Sequence, residues 1–136
     1  MQKKMRIFVS HSSKDQAMAG ELVDFLEKNN CQCWIAPRDI QPGLSYADCI
    51  TQGIEFSWAM VFVSSEQSNG SKDCAAELEQ ATKQQLLIIP FRIDESVYAD
   101  ATRSFFSPAQ EITVLNNKPS EHFPALLSVL KTYARK

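Results

Sequence analysis

Glu77 is a carboxylate set in an apolar stripe. Across the stretch from Asp73 to Gln84, Cys74, Leu78 and Ala81 recur at i, i+4 and i+7, and Glu77 falls at i+3 on the same face. A carboxylate there must be paired, hydrated in a cleft, or functional. It also sits in the first turns of the helix, where the macrodipole favours a negative charge. The residues alone leave two readings open: a rim glutamate held by a salt bridge, or a group that does chemistry. Glu79 points elsewhere and belongs to a solvated face.

A second group of candidates is Ser10-His11-Ser12-Ser13, which ends the apolar run Met5–Ser10. Hydroxyls beside the free N–H groups of a helix start suit a phosphate or a ribose. Plain helix capping accounts for one serine without any ligand. His11 could touch a ligand from this loop, or cap and pack. No GxGxxG or Walker pattern is present, so ordinary Rossmann or P-loop nucleotide binding is not indicated. The loop also lacks the aspartate cluster that would hold Mg²⁺. His122, before the C-terminal helix, reads as surface.

The third is Trp34-Ile35-Ala36-Pro37-Arg38-Asp39-Ile40-Gln41-Pro42-Gly43. Proline fixes φ and glycine permits φ > 0, so Pro37 and Pro42-Gly43 stiffen both ends of a loop with a charged middle, Arg38 and Asp39. Trp34 ends near the expected crevice and could stack on a ring; Trp58 starts a buried strand and reads as core.

The elements that must position these groups alternate. Strands are expected at Met5–Ser10, Cys31–Ala36, Trp58–Val63, Leu86–Phe91 (broken by Pro90 near its end) and, more weakly, Ile112–Leu115. The Ser13/Gln16 spacing fits a capping box and predicts a helix from about Lys14, with the stripe Ala19, Leu22, Val23, Leu26. Helices follow at Tyr46–Phe56, with Ser45 as cap, at Asp73–Gln84, and at the C-terminus on Phe123, Leu126, Leu127, Leu130 and Tyr133. The stretch 64–72 reads as a loop, and 96–107 as a short helix and loop. Such alternation implies an α/β fold: a flavodoxin-like, doubly wound, five-stranded parallel sheet in the order 2-1-3-4-5, with helices on both faces. Ligands in such sheets bind beyond the carboxyl ends of the strands where the order reverses, which selects the loops after strands one, two and three.

The 136 residues form one domain, 1–136, of ordinary soluble composition, 44% hydrophobic and 22% charged. A net charge of −2 leaves no electrostatic footprint for nucleic acid or an anionic membrane surface. Only Ile7-Phe8-Val9 follows the basic N-terminus, too short for a signal-peptide core, and no run approaches a membrane span. The four cysteines read as reduced, mostly buried thiols, Cys31 and Cys33 on one strand face, which fits a cytoplasmic location. No zinc-type ligand set is completed.

These segments together resemble a Toll/interleukin-1 receptor (TIR) domain of the bacterial kind over nearly the whole chain. Ile7-Phe8-Val9-Ser10-His11-Ser12 looks like the first-strand box, and Trp34–Gly43 like the loop box after strand two. Val61-Phe62-Val63-Ser64 with Ser68 looks like the third-strand segment, and Cys74-Ala75-Ala76-Glu77-Leu78 resembles the Cys-x-x-Glu-Leu helix motif. The resemblance implies cleavage of NAD⁺ at the nicotinamide–ribose bond, to nicotinamide and ADP-ribose or its cyclic form, with NAD⁺ as substrate and no cofactor. It implies Glu77 as the catalytic residue, Ser12 and Ser13 in the nucleotide pocket, Arg38 and Gln41 on a gating loop, and His11 and Trp34 as further contacts. Pro37, Asp39, Ile40, Pro42 and Gly43 would shape a gate and assembly surface for TIR–TIR homo-oligomers. Asp73 stands where many members carry an aromatic residue. The chain ends soon after its last helix, so a fused or partner sensor module is expected, as in bacterial anti-phage defence proteins. Two alternatives are a non-catalytic TIR interaction module that self-associates through residues 36–45, and an enzyme like the nucleoside deoxyribosyltransferases. The loop box after strand two disfavours the second.

Overall fold

The alternation of each strand decides which helix covers it. A computed structural model describes residues 6–98, 100, 103–106, 110–114 and 118–134. The elements run β1 (Arg6–Ser10), α1 (Gln16–Lys28), β2 (Cys33–Trp34), α2 (Tyr46–Glu55), β3 (Ser57–Ser64), α3 (Glu66–Asn69), α4 (Lys72–Lys83), β4 (Leu87–Arg92), β5 (Ile112–Thr113) and α5 (Phe123–Ala134). The strands form one all-parallel sheet in the order β2-β1-β3-β4-β5, the flavodoxin-like arrangement. Ile7, Val9, Val61, Val63, Ile89 and Phe91 face α1 and α5. Phe8, Met60, Phe62 and Ile88 face the other way, onto Ile50 and Ile54 of α2 and Cys74, Leu78 and Ala81 of α4. The period of two thus gives each central strand two buried faces. No helix among the described residues is long and apolar enough to cross a membrane.

Several boundaries differ from the sequence expectation, each for a local reason. Ser12, not Ser13, caps the turn after β1: its Oγ accepts from Lys14 N at 3.1 Å, and Ser13–Asp15 is a 3₁₀ turn ahead of α1. β2 is two residues long rather than six, and Cys31 lies before it. Beyond Trp34, side chains of the following loop replace a strand partner. Asp39 Oδ2 accepts from Ile35 N at 3.0 Å, and Arg38 Nη2 donates to the Cys33 carbonyl at 2.8 Å. The polar stretch 64–72 holds a helix, α3, created by a capping box in which Ser65 and Ser68 side chains each bond the other's backbone. Pro90 does not break β4. The Arg92 carbonyl accepts from Val114 N, and Ile93 N donates to Ser64 O, so even-numbered backbone groups point toward β5. Pairing with β5 begins only at Phe91, so the missing Pro90 N–H has no bond to leave unmade. In 96–107, Arg103–Phe105 is a 3₁₀ turn; Leu115, expected to end the fifth strand, lies outside the described residues.

Gln41-Pro42-Gly43-Leu44 closes as a turn, Leu44 N to Gln41 O at 3.3 Å, with Gly43 at φ 89°. Proline at i+1 and a positive-φ glycine at i+2 are what a type II turn requires. All four cysteines are free thiols, Cys31 half-buried and the others buried.

Trp34 is core: it is 4% exposed and stacks on Phe8 with ring centroids 4.8 Å apart and planes at 7°. Gly53 of α2 lies against it, and a Cβ there would come within 2.7 Å of Trp34 Cε2. Gly53→Ala gains about 1 kcal/mol of helix propensity but overpacks a ring with no free side, at a cost of about 1–3 kcal/mol. A lower urea midpoint is expected. An unchanged one would show that the indole has room to shift.

Candidate active site

β1 is central, so its last residue, Ser10, is buried, and a buried hydroxyl needs a partner. It finds one across the crevice: Ser10 Oγ donates to Glu77 Oε1 at 2.8 Å. Glu77 projects from α4, whose first turn is fixed by Ser71 Oγ accepting from Cys74 N at 3.2 Å. The carboxylate is half-buried, and its pKa is pushed from 4.5 up to about 7. Burial is the largest cause; the Ser10 hydrogen bond pulls down, and the nearby Asp73 charge pushes up. Desolvation outweighs the hydrogen bond. One turn earlier, burial also raises the Cys74 thiol, which keeps it protonated and unsuited to attack.

Two clefts flank Glu77. One, of about 230 Å³, is lined by Phe8, His11, Ser13, Pro37, Tyr46 and Glu77 among others. The second, of about 170 Å³, is bounded by Tyr46, Ile50, Thr51, Asp73, Glu77 and Gln80. Among the described residues, Glu77 is the one carboxylate lining the first. A larger cleft of about 780 Å³, beyond β3 and β4, takes in Glu66, Asp94, Tyr98 and Arg103 but none of the residues near Glu77.

The other sequence-derived candidates divide. Ser13 and Pro37 line the first cleft, as does His11, whose ring nitrogens reach the carbonyls of Ser12 (2.7 Å) and Ala36 (3.0 Å) and so tie the loops after β1 and β2 together. Ser12 is occupied as a cap. Arg38 is not brought to Glu77. It forks onto Glu27 (2.9 and 3.0 Å) and bonds Asp39, on the α1 side of Pro37. Gln41 is exposed, with its backbone against Cys49 Sγ, Ile40 packs on the α2–α4 core, and Pro42 and Gly43 form the turn; none lines the clefts beside Glu77. Trp34 lies under the cleft, behind Phe8.

Ser10 stands in the candidate segment Ser10–Ser13, but its bond to Glu77, 67 residues on, has no local sequence signal. One residue escaped the sequence reading altogether. Tyr46 is the first residue of α2, and its signal was the Ser45 cap, which starts the helix beside the loop.

A raised carboxyl pKa carries a stability cost whose sign is fixed. The folded chain binds this proton more tightly than the unfolded chain, so the contribution is fully present below about 4.5 and lost as pH rises through about 7. That loss is at most about 3 kcal/mol. Glu77→Gln should therefore unfold later than the parent at pH 8, by about 1–3 kcal/mol, with the gap closing near pH 5. Carbon-detected titration of the Glu77 carboxyl should give a midpoint near 7. Ser10→Ala should raise that midpoint by about one pH unit, the worth of a charge-assisted hydrogen bond; a midpoint that does not move would remove Ser10 as the group that holds the charge.

No curated protein matches the sequence significantly. Among solved structures, the TIR domain of the Toll-related receptor TRR-2 from Hydra magnipapillata aligns over 96% of this chain and 98% of its own, with a TM-score of 0.77 and 19% identity. The TIR domains of the activated Roq1 resistosome, which recognises the pathogen effector XopQ, align over 66% of this chain and 59% of theirs (TM-score 0.59, 20% identity). BcmB, a CMP N-glycosidase of Clostridium botulinum, aligns over 89% of this chain and 97% of its own (TM-score 0.63, 16% identity). At such identities the likeness is one of fold. The TIR domain family itself matches residues 7–127, from the first strand into the last helix and across every residue of both clefts, so the chain belongs to the TIR domain family.

Proposed function

We propose that this domain is an NAD⁺ nucleosidase, with Glu77 as its catalytic carboxylate. The supporting observation is a half-buried carboxylate, aimed by a buried hydroxyl into a cleft that, among the described residues, no second carboxylate lines. Most glycosidases need a carboxylic acid to protonate the leaving group and a second carboxylate beside it. Nicotinamide needs no such acid. Its ring nitrogen is already cationic, and when the bond from C1′ breaks, the electron pair goes to that nitrogen and a neutral molecule departs. What remains to be stabilised is the positive charge growing on the ribose, and one fixed carboxylate can do that while accepting from ribose hydroxyls. Water attacking C1′ and losing a proton completes ADP-ribose; attack by a nitrogen of the substrate's own adenine gives the cyclic product. The similarity of fold to a CMP N-glycosidase agrees with N-glycosidic chemistry on this fold.

On this reading Ser13 meets the substrate's polar groups, His11 lines the cleft while its ring nitrogens hold the two loops together, and the loop of residues 36–45 borders the cleft through Ala36 and Pro37. A cleft open on one side can be completed by a neighbouring copy, so the domain acts as an effector switched on by assembly, in a defence protein with its own sensor. The competing reading, a non-catalytic module that only self-associates, draws on the exposed Leu44 at the end of the loop, 43% accessible.

Purified protein, concentrated or clustered on a surface, should release nicotinamide from NAD⁺, and Glu77→Gln should release it about a hundredfold more slowly or worse. Folded, assembled protein that releases none would leave the interaction module as the function. The pH profile carries a second expectation. Only the ionised form stabilises the cation, so kcat/KM should rise with pH through about 7 and level off above it. The bound pyridinium favours the carboxylate, so the corresponding limb of kcat should lie at lower pH. A flat kcat/KM between pH 6 and 8 would contradict a catalytic Glu77.

A further inference from the structure

Tyr46 is 56% exposed although it stands beside the most enclosed carboxylate of the site. Its backbone is held. Ser45 caps α2, its Oγ accepting from Asp48 N at 3.0 Å, and Tyr46 is the first residue of that helix. Tyr46, Ile50 and Glu77 line both clefts, so the tyrosine is part of the wall between them and Glu77 sits at the junction. One side leads to His11 and Ser13, the other to Asp73, Thr51 and Gln80. The wall is negative in character. Glu77 and Asp73 act on the phenol electrostatically, after burial, to raise its pKa, which keeps the hydroxyl neutral. Among the described residues, no lysine or arginine lines either cleft. An exposed aromatic face flanked by two carboxylates, with no fixed cation near it, is a receptor for a flat, positively charged ring.

We infer that the face of Tyr46 is the surface on which the pyridinium ring of the substrate lies, and that it makes the site select the oxidised, cationic dinucleotide over the reduced one. The inference rests on the reading of NAD⁺ as substrate. The dihydropyridine of NADH is uncharged, so it forfeits the cation–π attraction and the attraction of Asp73 and Glu77 together. A kinetic signature follows from where the charge goes. During cleavage it moves from the ring to the ribose, toward Glu77 and away from Tyr46. The stack is therefore strongest with intact substrate, and its loss should appear in KM more than in kcat.

The test uses binding, so that it does not depend on turnover. An uncleavable carbocyclic analogue of NAD⁺, which keeps the pyridinium, and NADH are each titrated by calorimetry into the parent, Tyr46→Ala and Tyr46→Phe. The parent should hold the cationic analogue at least tenfold more tightly than NADH. Tyr46→Ala should lose most of that preference by weakening the analogue alone, and Tyr46→Phe, which keeps the ring, should restore it; amide spectra of each variant report folding. With NAD⁺ itself, Tyr46→Ala should raise KM about tenfold and change kcat by less than about threefold. Equal weakening of both ligands, or a preference that survives in Tyr46→Ala, overturns the inference while leaving Glu77-dependent hydrolysis untouched. A Tyr46-dependent preference in a protein that releases no nicotinamide sustains the binding role and ends the hydrolase reading. Failure of the parent to bind the analogue at millimolar concentration ends both.

Discussion

A carboxylate is kept half out of water at the end of a parallel sheet, and one hydroxyl holds it there. Ser10 is buried because β1 lies between β2 and β3, and at that depth its O–H must be satisfied. Glu77 satisfies it from a different element, so the bond ties the end of the central strand to the second turn of α4. The same geometry sets the electrostatics. One donated hydrogen bond offsets part of the desolvation and leaves the rest, so the carboxyl pKa stands at about 7. Without Ser10 the side chain has no fixed direction. A fully solvated Glu77 would lose the desolvation that raises its pKa.

The loop after β2 is organised on another principle. An edge strand must cover its free backbone groups. Here Arg38 and Asp39 do so, turning inward onto Cys33 and Ile35, while Arg38 also clamps Glu27 at the end of α1. The charges that make this stretch so recognisable are thereby consumed in holding the loop to the sheet. What it offers the cleft is apolar and backbone, Ala36 and Pro37, with the Ala36 carbonyl bonded by His11. What it offers the outside is Leu44, just past the Gly43 turn. The stiff loop thus keeps one edge on the cleft and turns one apolar residue outward.

Periodicity made much of this legible. β1, β3, β4 and the helices α1, α2, α4 and α5 stand within a residue or two of where their apolar patterns put them, because buried parallel strands and one-sided helices are dictated by the solvent. The inward face of α4 showed Glu77 at once, since a charge in a stripe of Cys74, Leu78 and Ala81 conflicts with its surroundings. Illegible features depended on side chains bonding backbone at a distance. α3 exists because two serines cap each other, and β2 stops early because Asp39, four residues on, takes the Ile35 N–H. Trp34 shows the same limit from the apolar side. Its place next to the crevice was readable, but the decision between stacking on a ligand and stacking on Phe8 turned on Gly53, distant in sequence, leaving room for the indole. Arg38 likewise could be read as a loop cation, yet its partner Glu27 lies eleven residues back, a pairing no local pattern announces.

The cost of the charged state explains why α4 is anchored as it is. Ionising Glu77 opposes folding by up to about 3 kcal/mol, a sizeable part of the 5–15 kcal/mol by which a domain is typically stable. Were α4 held loosely, that cost could be relieved by the helix moving away and wetting the carboxylate. Instead Leu78 beside Glu77, and Cys74 and Ala81 about one turn before and after it, are at most 2% exposed. Burial of Leu78 alone is worth about 1.5–3 kcal/mol, so undocking the helix costs as much as it would recover. Undocking thus offers the carboxylate no relief, and taking up a proton is what removes the cost. The anchoring of α4 is therefore what sustains a carboxyl pKa raised to about 7.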